Sequence, residues 1–245
     1  MNGNENRFLF VIGPQRAGTT WLYSFLAAQS SDVFLDRLEK ENYFFSRYAR
    51  RSAAHQRQRF FARITGRGTP RLCADVCSTY FAHRDTVEGI LAAFPEARFA
   101  YIHRDEAARR KSFAAHHAFN KLSVWILGYE ISWALYEKQA DFLAFETWLQ
   151  TRVPQDRRCR LDFDDLTTNN GKAWTDALSD MMDVTFEPVN LGVVNKSRQS
   201  MSKLKRVLFV GVRLVQATRL HILVKAIRQR LTVSDFKTAA EAGAQ

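Results

Sequence analysis

Cysteine, long apolar runs and, toward the C-terminal end, acidic residues are scarce in this chain of 245 residues. The three cysteines, Cys73, Cys77 and Cys159, are too few and too oddly numbered for a disulfide framework. Cys73 and Cys77 form a C-x3-C pair, but no second Cys/His pair follows at zinc-site spacing, so buried free thiols and no metal site are expected. No stretch reaches the ~18 uninterrupted apolar residues that a membrane-crossing helix needs. The start, MNGNENRFLFVIG, lacks a basic segment leading into a long apolar run and a small-residue cleavage site, so a signal peptide is not expected. A cytoplasmic, reducing location follows as the expectation. Between Glu187 and Asp235 there is no acidic residue, while Lys196, Arg198, Lys203, Lys205, Arg206, Arg213, Arg219, Lys225, Arg228 and Arg230 fall in that interval. Those ten cations account for most of the net charge of +11, which points to an anionic partner such as a membrane surface or an acidic polymer.

What is present suits a globular protein. The hydrophobic fraction of 46% and the charged fraction of 25% allow a real core, in one large domain or one domain with a helical appendage. Residues 8–12 (FLFVI) form an apolar run closed by Gly13 and predict a buried strand. Residues 20–29 (TWLYSFLAAQ) then have helical spacing. Residues 46–71 predict a basic surface helix followed by a Gly/Pro turn, and 82–94 a helix ended by Pro95. Strands are expected at 98–103 and 159–163, a helical stretch from 105 to about 149 with a break near Lys121, and a helix at 172–182. Strands alternating with long helices imply an α/β fold with a parallel sheet covered on both faces. Residues 201–231 predict basic helices. The expected division is a domain over 1–200 and a helical extension over 201–245.

The most informative stretch is Gly13-Pro-Gln-Arg-Ala-Gly-Thr-Thr20, which follows a strand and opens a helix. Glycines let the backbone curl so that several N–H groups converge on one anion, and the helix N-terminus favours negative charge there. Thr19 and Thr20 can donate hydroxyl hydrogen bonds, and Arg16 can form a bidentate pair with phosphate oxygens. Gly13 and Gly18 have the separation of the ATPase loop G-x-x-x-x-G-K-[ST]. Thr19, however, stands where its lysine should be, which argues against triphosphate chemistry. A plain strand–turn–helix with a threonine N-cap would use the same residues.

At these residues the chain resembles the sulfotransferase family that uses 3′-phosphoadenylyl sulfate (PAPS). The family's loop reads like P-K-[SAG]-G-T-T, often followed by W-L, and here it is PQRAGTTWL with Arg16 in the lysine position. The resemblance implies a P-loop-like fold, PAPS as sulfuryl donor, and donor contacts from Arg16, Ala17, Gly18, Thr19 and Thr20. It also implies adenine stacking by Trp21, although core packing would suit a helical tryptophan equally. In YIHRDEAARRKSF, Arg104 ends a strand and Ser112 lies eight residues on. In the family, residues so spaced hold the 3′-phosphate. Glu106 stands where the family often has proline, and Arg109 at a position that is often basic.

For the chemistry, Lys40-Glu41-Asn-Tyr-Phe-Phe45 is similar to the family's K-E-x-x-F-F stretch. This implies Glu41 as the base, with Lys40 and Arg16 as cationic helpers; a helix-end charge pair beside an aromatic plug is the plain alternative. Asp75-Val-Cys-Ser-Thr-Tyr-Phe81 resembles a segment beside the acceptor cleft, making Asp75 and Tyr80 acceptor-site candidates. Lys196 and Arg198 would close over the nucleotide. His116 and His117 are adjacent, so they point to different faces, and no partner at helical spacing makes a metal site of them. The expected activity is sulfuryl transfer from PAPS to a hydroxyl of a glycan or glycolipid, with a small-molecule or lipid alcohol as the alternative acceptor. A P-loop nucleotide kinase and a non-catalytic basic nucleotide-binding protein are the competing classes. The basic C-terminal helices would pack on the domain or meet an anionic membrane surface, and nucleic acid is not an expected partner.

Overall fold

The computed structural model describes residues 7–29, 33–36, 40–41, 44–48, 51–64, 71–127, 136–137, 139–168, 171–189 and 191, without the side chains of 82 and 117–127. The chain divides into two compact units, Met1–Phe113 with Ser132–Lys196, and Ala114–Ile131 with Ser197–Gln245. Of the second unit only 114–127 are among the described residues, and the sheet and site belong to the first. The expected division at residue 200, the basic stretch 201–231, Lys196, Arg198 and the His117 side chain all lie outside the described residues.

Five strands form one parallel sheet in the order β2-β3-β1-β4-β5, with β1 Arg7–Val11, β2 Val33–Leu35, β3 Leu72–Val76, β4 Arg98–His103 and β5 Arg158–Asp162. Leu9 stands opposite Ala74 on β3 and Arg98 on β4, which makes β1 the central strand. Helices α1 (Thr19–Ala28), α2 (Phe44–Tyr48), α3 (Ala53–Phe61), α4 (Arg84–Ala93), α5 (Glu106–Leu127), α6 (Phe142–Arg152), α7 (Phe163–Thr168) and α8 (Lys172–Met182) are interleaved with them.

Alternation along the strands divides the core between the two faces. Phe8, Phe10, Cys73, Phe99 and Tyr101 join Phe45, Phe60, Val87, Ile90 and Phe94 of α2–α4 and its following turn on one side. Leu9, Val11, Ala74, Ala100 and Ile102 join Trp21, Leu22, Phe25, Trp174 and Leu178 of α1 and α8 on the other. The first face is unusually aromatic: the Phe10 ring lies 5.4 Å from Phe45, 5.6 Å from Phe94 and 5.8 Å from Phe60. Each such ring contributes about 1.5–3 kcal/mol by leaving water.

The structure departs from the sequence expectations in four places. Strands β2 and β3 were not anticipated, because VFL is short and LCADV carries a carboxylate in its middle. The single helix expected ahead of the Gly/Pro turn within 46–71 is instead α2 and α3, the latter capped by Ser52, whose hydroxyl accepts from His55 N at 3.3 Å. Helix α5 runs through Lys121 to Leu127 without the expected break, in a stretch free of glycine and proline. The strand expected at 159–163 ends at Asp162, and Phe163 opens α7. No helix among the described residues is long and apolar enough to cross a membrane.

Candidate functional site

The loop between β1 and α1 is shaped by backbone contacts that only glycine tolerates. Ile12 N donates to Ala100 O at 3.0 Å and Ile102 N to Gly13 O at 2.9 Å, so the chain stays paired with β4 until Gly13. There it turns with φ +103°, and a Cβ would sit 2.2 Å from the Ser78 carbonyl oxygen. Arg16 adopts φ +65°, and Gly18, at φ +103°, caps α1 with its backbone alone. The plain alternative of a threonine cap is therefore not what forms: Thr19 is already helical and buried, and Thr20 is half-buried. The first N–H groups of α1 have no carbonyl partner within the helix, so this turn presents donors to an anion.

Three side chains hold the loop from outside. Arg104 donates through Nη1 to the Arg16 carbonyl. Arg109 Nη1 reaches the Gln15 carbonyl at 3.5 Å, at the limit of a hydrogen bond. Gln139 Oε1 accepts from Gln15 N at 3.2 Å. The Arg16 side chain itself donates through Nε to Ser112 Oγ at 3.2 Å. Arg16, Arg104 and Ser112, 96 positions apart at the extremes, therefore meet at the C-terminal edge of the sheet, where ligands of open α/β folds bind.

The guanidinium groups here are partly unsatisfied. Arg104 stacks over the Phe163 ring at 4.0 Å, and its buried Nε has no partner among the described residues. Burial lowers its pKa from the ordinary guanidinium range, as does the Arg109 charge, while Asp164 and Asp105 oppose the shift. Arg109 is 1% exposed; its Nε donates to Glu106 Oε2 at 2.8 Å, it lies 4.3 Å over the Tyr136 ring, and its buried Nη2 has no partner among the described residues. Tyr136 OH completes the brace by donating to Glu106 Oε1 at 2.7 Å. Buried, unpaired cationic donors are costly in a folded protein, and an anion would offset that cost. With Glu106 where the family often has proline, the start of α5 is capped by Asp105, whose Oδ1 accepts from Ala108 N at 2.8 Å.

Ser78, whose carbonyl Gly13 abuts, is bonded to Glu41. The two carboxylate oxygens of Glu41 accept from Ser78 N at 2.9 Å and Ser78 Oγ at 2.8 Å, and Lys40 Nζ forms an ion pair with Oε1. Lys40 and Glu41 thus lie beside the loop, joined to it through Ser78.

Several of the residues expected at the site are buried. Trp21 is 5% exposed: its ring stacks on Phe25 at 5.4 Å and 4°, and meets the edge of Trp174 at 5.9 Å. It packs within the core layer formed by α1 and α8, as the alternative reading of a helical tryptophan allows. Asp75 and Tyr80 are buried as well; Tyr80 OH donates to Asp75 Oδ2 at 3.0 Å and accepts from Phe45 N at 3.1 Å, which ties α2 to β3. Ala17 is wholly buried too.

Four residues at or near the site went unrecognised in the sequence. Gln139 and Tyr136 belong to no motif spacing, and Ser78 had no role assigned within the segment Asp75–Phe81; only long-range contacts reveal their part at the site. His103 Nδ1 lies 3.0 Å from Asp162 Oδ1, immediately before Arg104, where adjacent strand ends were the one available signal. The cysteines are free, as expected.

A model described as "Sulfotransferase family" matches residues 49–188, more than half of the chain. No curated protein sequence matches it. Among solved structures, the chain is similar to a sulfotransferase from Alicyclobacillus acidocaldarius, with a TM-score of 0.58 at 15% identity, covering 90% of this chain and 96% of that one. It is also similar to the sulfotransferase domain from the curacin biosynthetic pathway, with a TM-score of 0.53 at 17% identity, covering 82% of each chain. At these identities the likeness concerns the fold.

Proposed function

Because the chain belongs to the sulfotransferase family, we propose that it transfers a sulfuryl group from PAPS to an acceptor hydroxyl of a glycan or glycolipid. The observation that carries this reading is the meeting of Arg16, Arg104 and Ser112 around the loop that opens α1. The buried donors Arg104 Nε and Arg109 Nη2, without partners among the described residues, suit a doubly phosphorylated donor. PAPS supplies a sulfuryl group already activated by its bond to a phosphate.

The chain's own residues then have separate tasks. Backbone N–H groups from Ala17 to Thr20 and the α1 N-terminus hold the 5′-phosphate side, with the Thr19 and Thr20 hydroxyls as further donors. Arg104 and Ser112 hold the 3′-phosphate. Glu41 takes the proton of the acceptor hydroxyl as its oxygen bonds to sulfur and the sulfur–oxygen bond to phosphate breaks. Arg16, with Lys40 near Glu41, stabilises the charge that grows on the departing phosphate oxygen.

Lys196 and Arg198 close the nucleotide side in this proposal. The basic stretch 201–245 is a helical extension that meets an anionic membrane surface from the cytoplasmic side, a reading supported by its charge. The glycan acceptor rests on the KENYFF motif. Parallel incubation with radiolabelled PAPS and ATP and a panel of hydroxyl acceptors tests the reaction. Label leaving only the sulfate donor supports it; phosphate transfer from ATP, or no transfer with either, overturns it.

A further inference from the structure

Gln139 is 0% exposed and lies in the short segment just ahead of α6, far in sequence from the loop and from Ser78. Both ends of its amide are used: Oε1 accepts from Gln15 N at 3.2 Å, and Nε2 donates to Ser78 O at 2.9 Å. One amide orientation alone satisfies both contacts, since flipping it would set donor against donor and oxygen against oxygen. Ser78 in turn spends its N–H and its hydroxyl on the two oxygens of Glu41, at 2.9 and 2.8 Å. Its carbonyl is also the atom against which Gly13 is pressed. A continuous line of hydrogen bonds thus runs from the phosphate loop through Gln139 and Ser78 to the carboxylate.

We propose that Gln139 is a positioning residue that transmits the state of the phosphate loop to Glu41, so that the carboxylate is set for the acceptor only when the nucleotide is seated. The inference rests on the sulfuryl-transfer reading given above. A loop ordered by an anion holds the Gln15 peptide, the Gln15 peptide holds the Gln139 amide, and the amide fixes the Ser78 peptide that grips Glu41. Fully buried amides with both ends bonded have one arrangement, which suits them to carry such a displacement.

The test uses the full chain labelled with carbon-13 at the glutamate δ-carboxyl, with the Glu41 resonance assigned by its disappearance in Glu41→Gln. Adenosine 3′,5′-bisphosphate is the probe, so no acceptor is needed. In the wild type, saturating bisphosphate shifts the Glu41 resonance. In Gln139→Met the bisphosphate still binds, roughly fivefold more weakly for the loss of one hydrogen bond to the loop, but the shift at Glu41 is lost. Gln139→Glu keeps the acceptor toward Gln15 and loses the donor toward Ser78; it also loses the shift, and carries the test if the methionine variant does not fold. A full-sized Glu41 shift in either variant under saturating bisphosphate overturns the role of Gln139 alone. A wild type that binds the bisphosphate without any shift at Glu41 overturns the coupling. A wild type that does not bind it overturns the donor reading and this inference with it.

Discussion

The guanidinium of Arg104, at the end of β4, donates to the carbonyl oxygen of Arg16, in the loop that follows β1. One cation thereby holds the peptide carbonyl of the other, while Arg16 extends its own side chain to Ser112. The pair acts as one unit: disturbing either disturbs the loop.

Arg104→Ala should therefore weaken adenosine 3′,5′-bisphosphate by ~10–100-fold, the cost of a charge-assisted hydrogen bond to phosphate plus a loosened loop. Adenosine 5′-monophosphate, lacking the 3′-phosphate, should lose much less. Titration calorimetry with both ligands checks this; equal losses for the two would remove Arg104 from 3′-phosphate recognition.

Glu41→Gln should lower sulfuryl transfer by ~10²–10⁴-fold, the usual contribution of a positioned base. Affinity for the bisphosphate should stay near that of the wild type, because Glu41 touches Ser78 and Lys40 rather than the loop. Unchanged turnover would take Glu41 out of the mechanism.

Gly13→Ala should destabilise the fold by about 2–5 kcal/mol, combining a left-handed backbone with a methyl group driven onto a backbone oxygen. The relevant contact is the 2.2 Å from a Cβ to Ser78 O, and backbone atoms cannot rotate aside as a side chain would. Urea unfolding measures the loss; a midpoint equal to the wild type's would contradict the close approach of Ser78 to the loop.

Stability should decline on the alkaline side. Burial pushes the Cys73 thiol up to about 12 from an ordinary 9.0, against a lowering influence of Arg57. Burial raises Cys77 too, helped by the Glu41 and Asp75 carboxylates. An unfolded thiol loses its proton near the ordinary value while the folded one keeps it. Below about pH 9 the contribution is intact, and it is lost as pH climbs toward 12, at up to about 1.4 kcal/mol per pH unit for each thiol. Unfolding measured at several pH values, in the wild type and Cys73→Ala, should give a shallower decline in the variant; equal slopes would exclude Cys73 as a source.

Much of this protein was legible in local sequence. The run FLFVI before Gly13, the apolar spacing after Thr20 and the strand RFAYIH followed by Arg104 each announce their element, because a buried strand and an amphipathic helix impose short-range periodicity. The loop PQRAGTT, and the eight-residue step from Arg104 to Ser112, predicted residues that the fold brings together. Strand β3 was hidden by Asp75, whose charge masks the apolar pattern until Tyr80 is seen donating to it.

The amino-acid order by itself determined the parallel α/β sheet, the glycine turn and the cations that gather at its edge, since these follow from neighbours within one or two turns of chain. Only the tertiary structure decided that Trp21 belongs to the core, that Ser78 grips Glu41 and that Gln139 joins it to the loop. Such contacts span 37 to 124 positions, and no local pattern encodes which distant polar group will fill a buried vacancy. Packing of the two layers against the sheet makes that choice, by bringing one donor and one acceptor within reach and shutting water out.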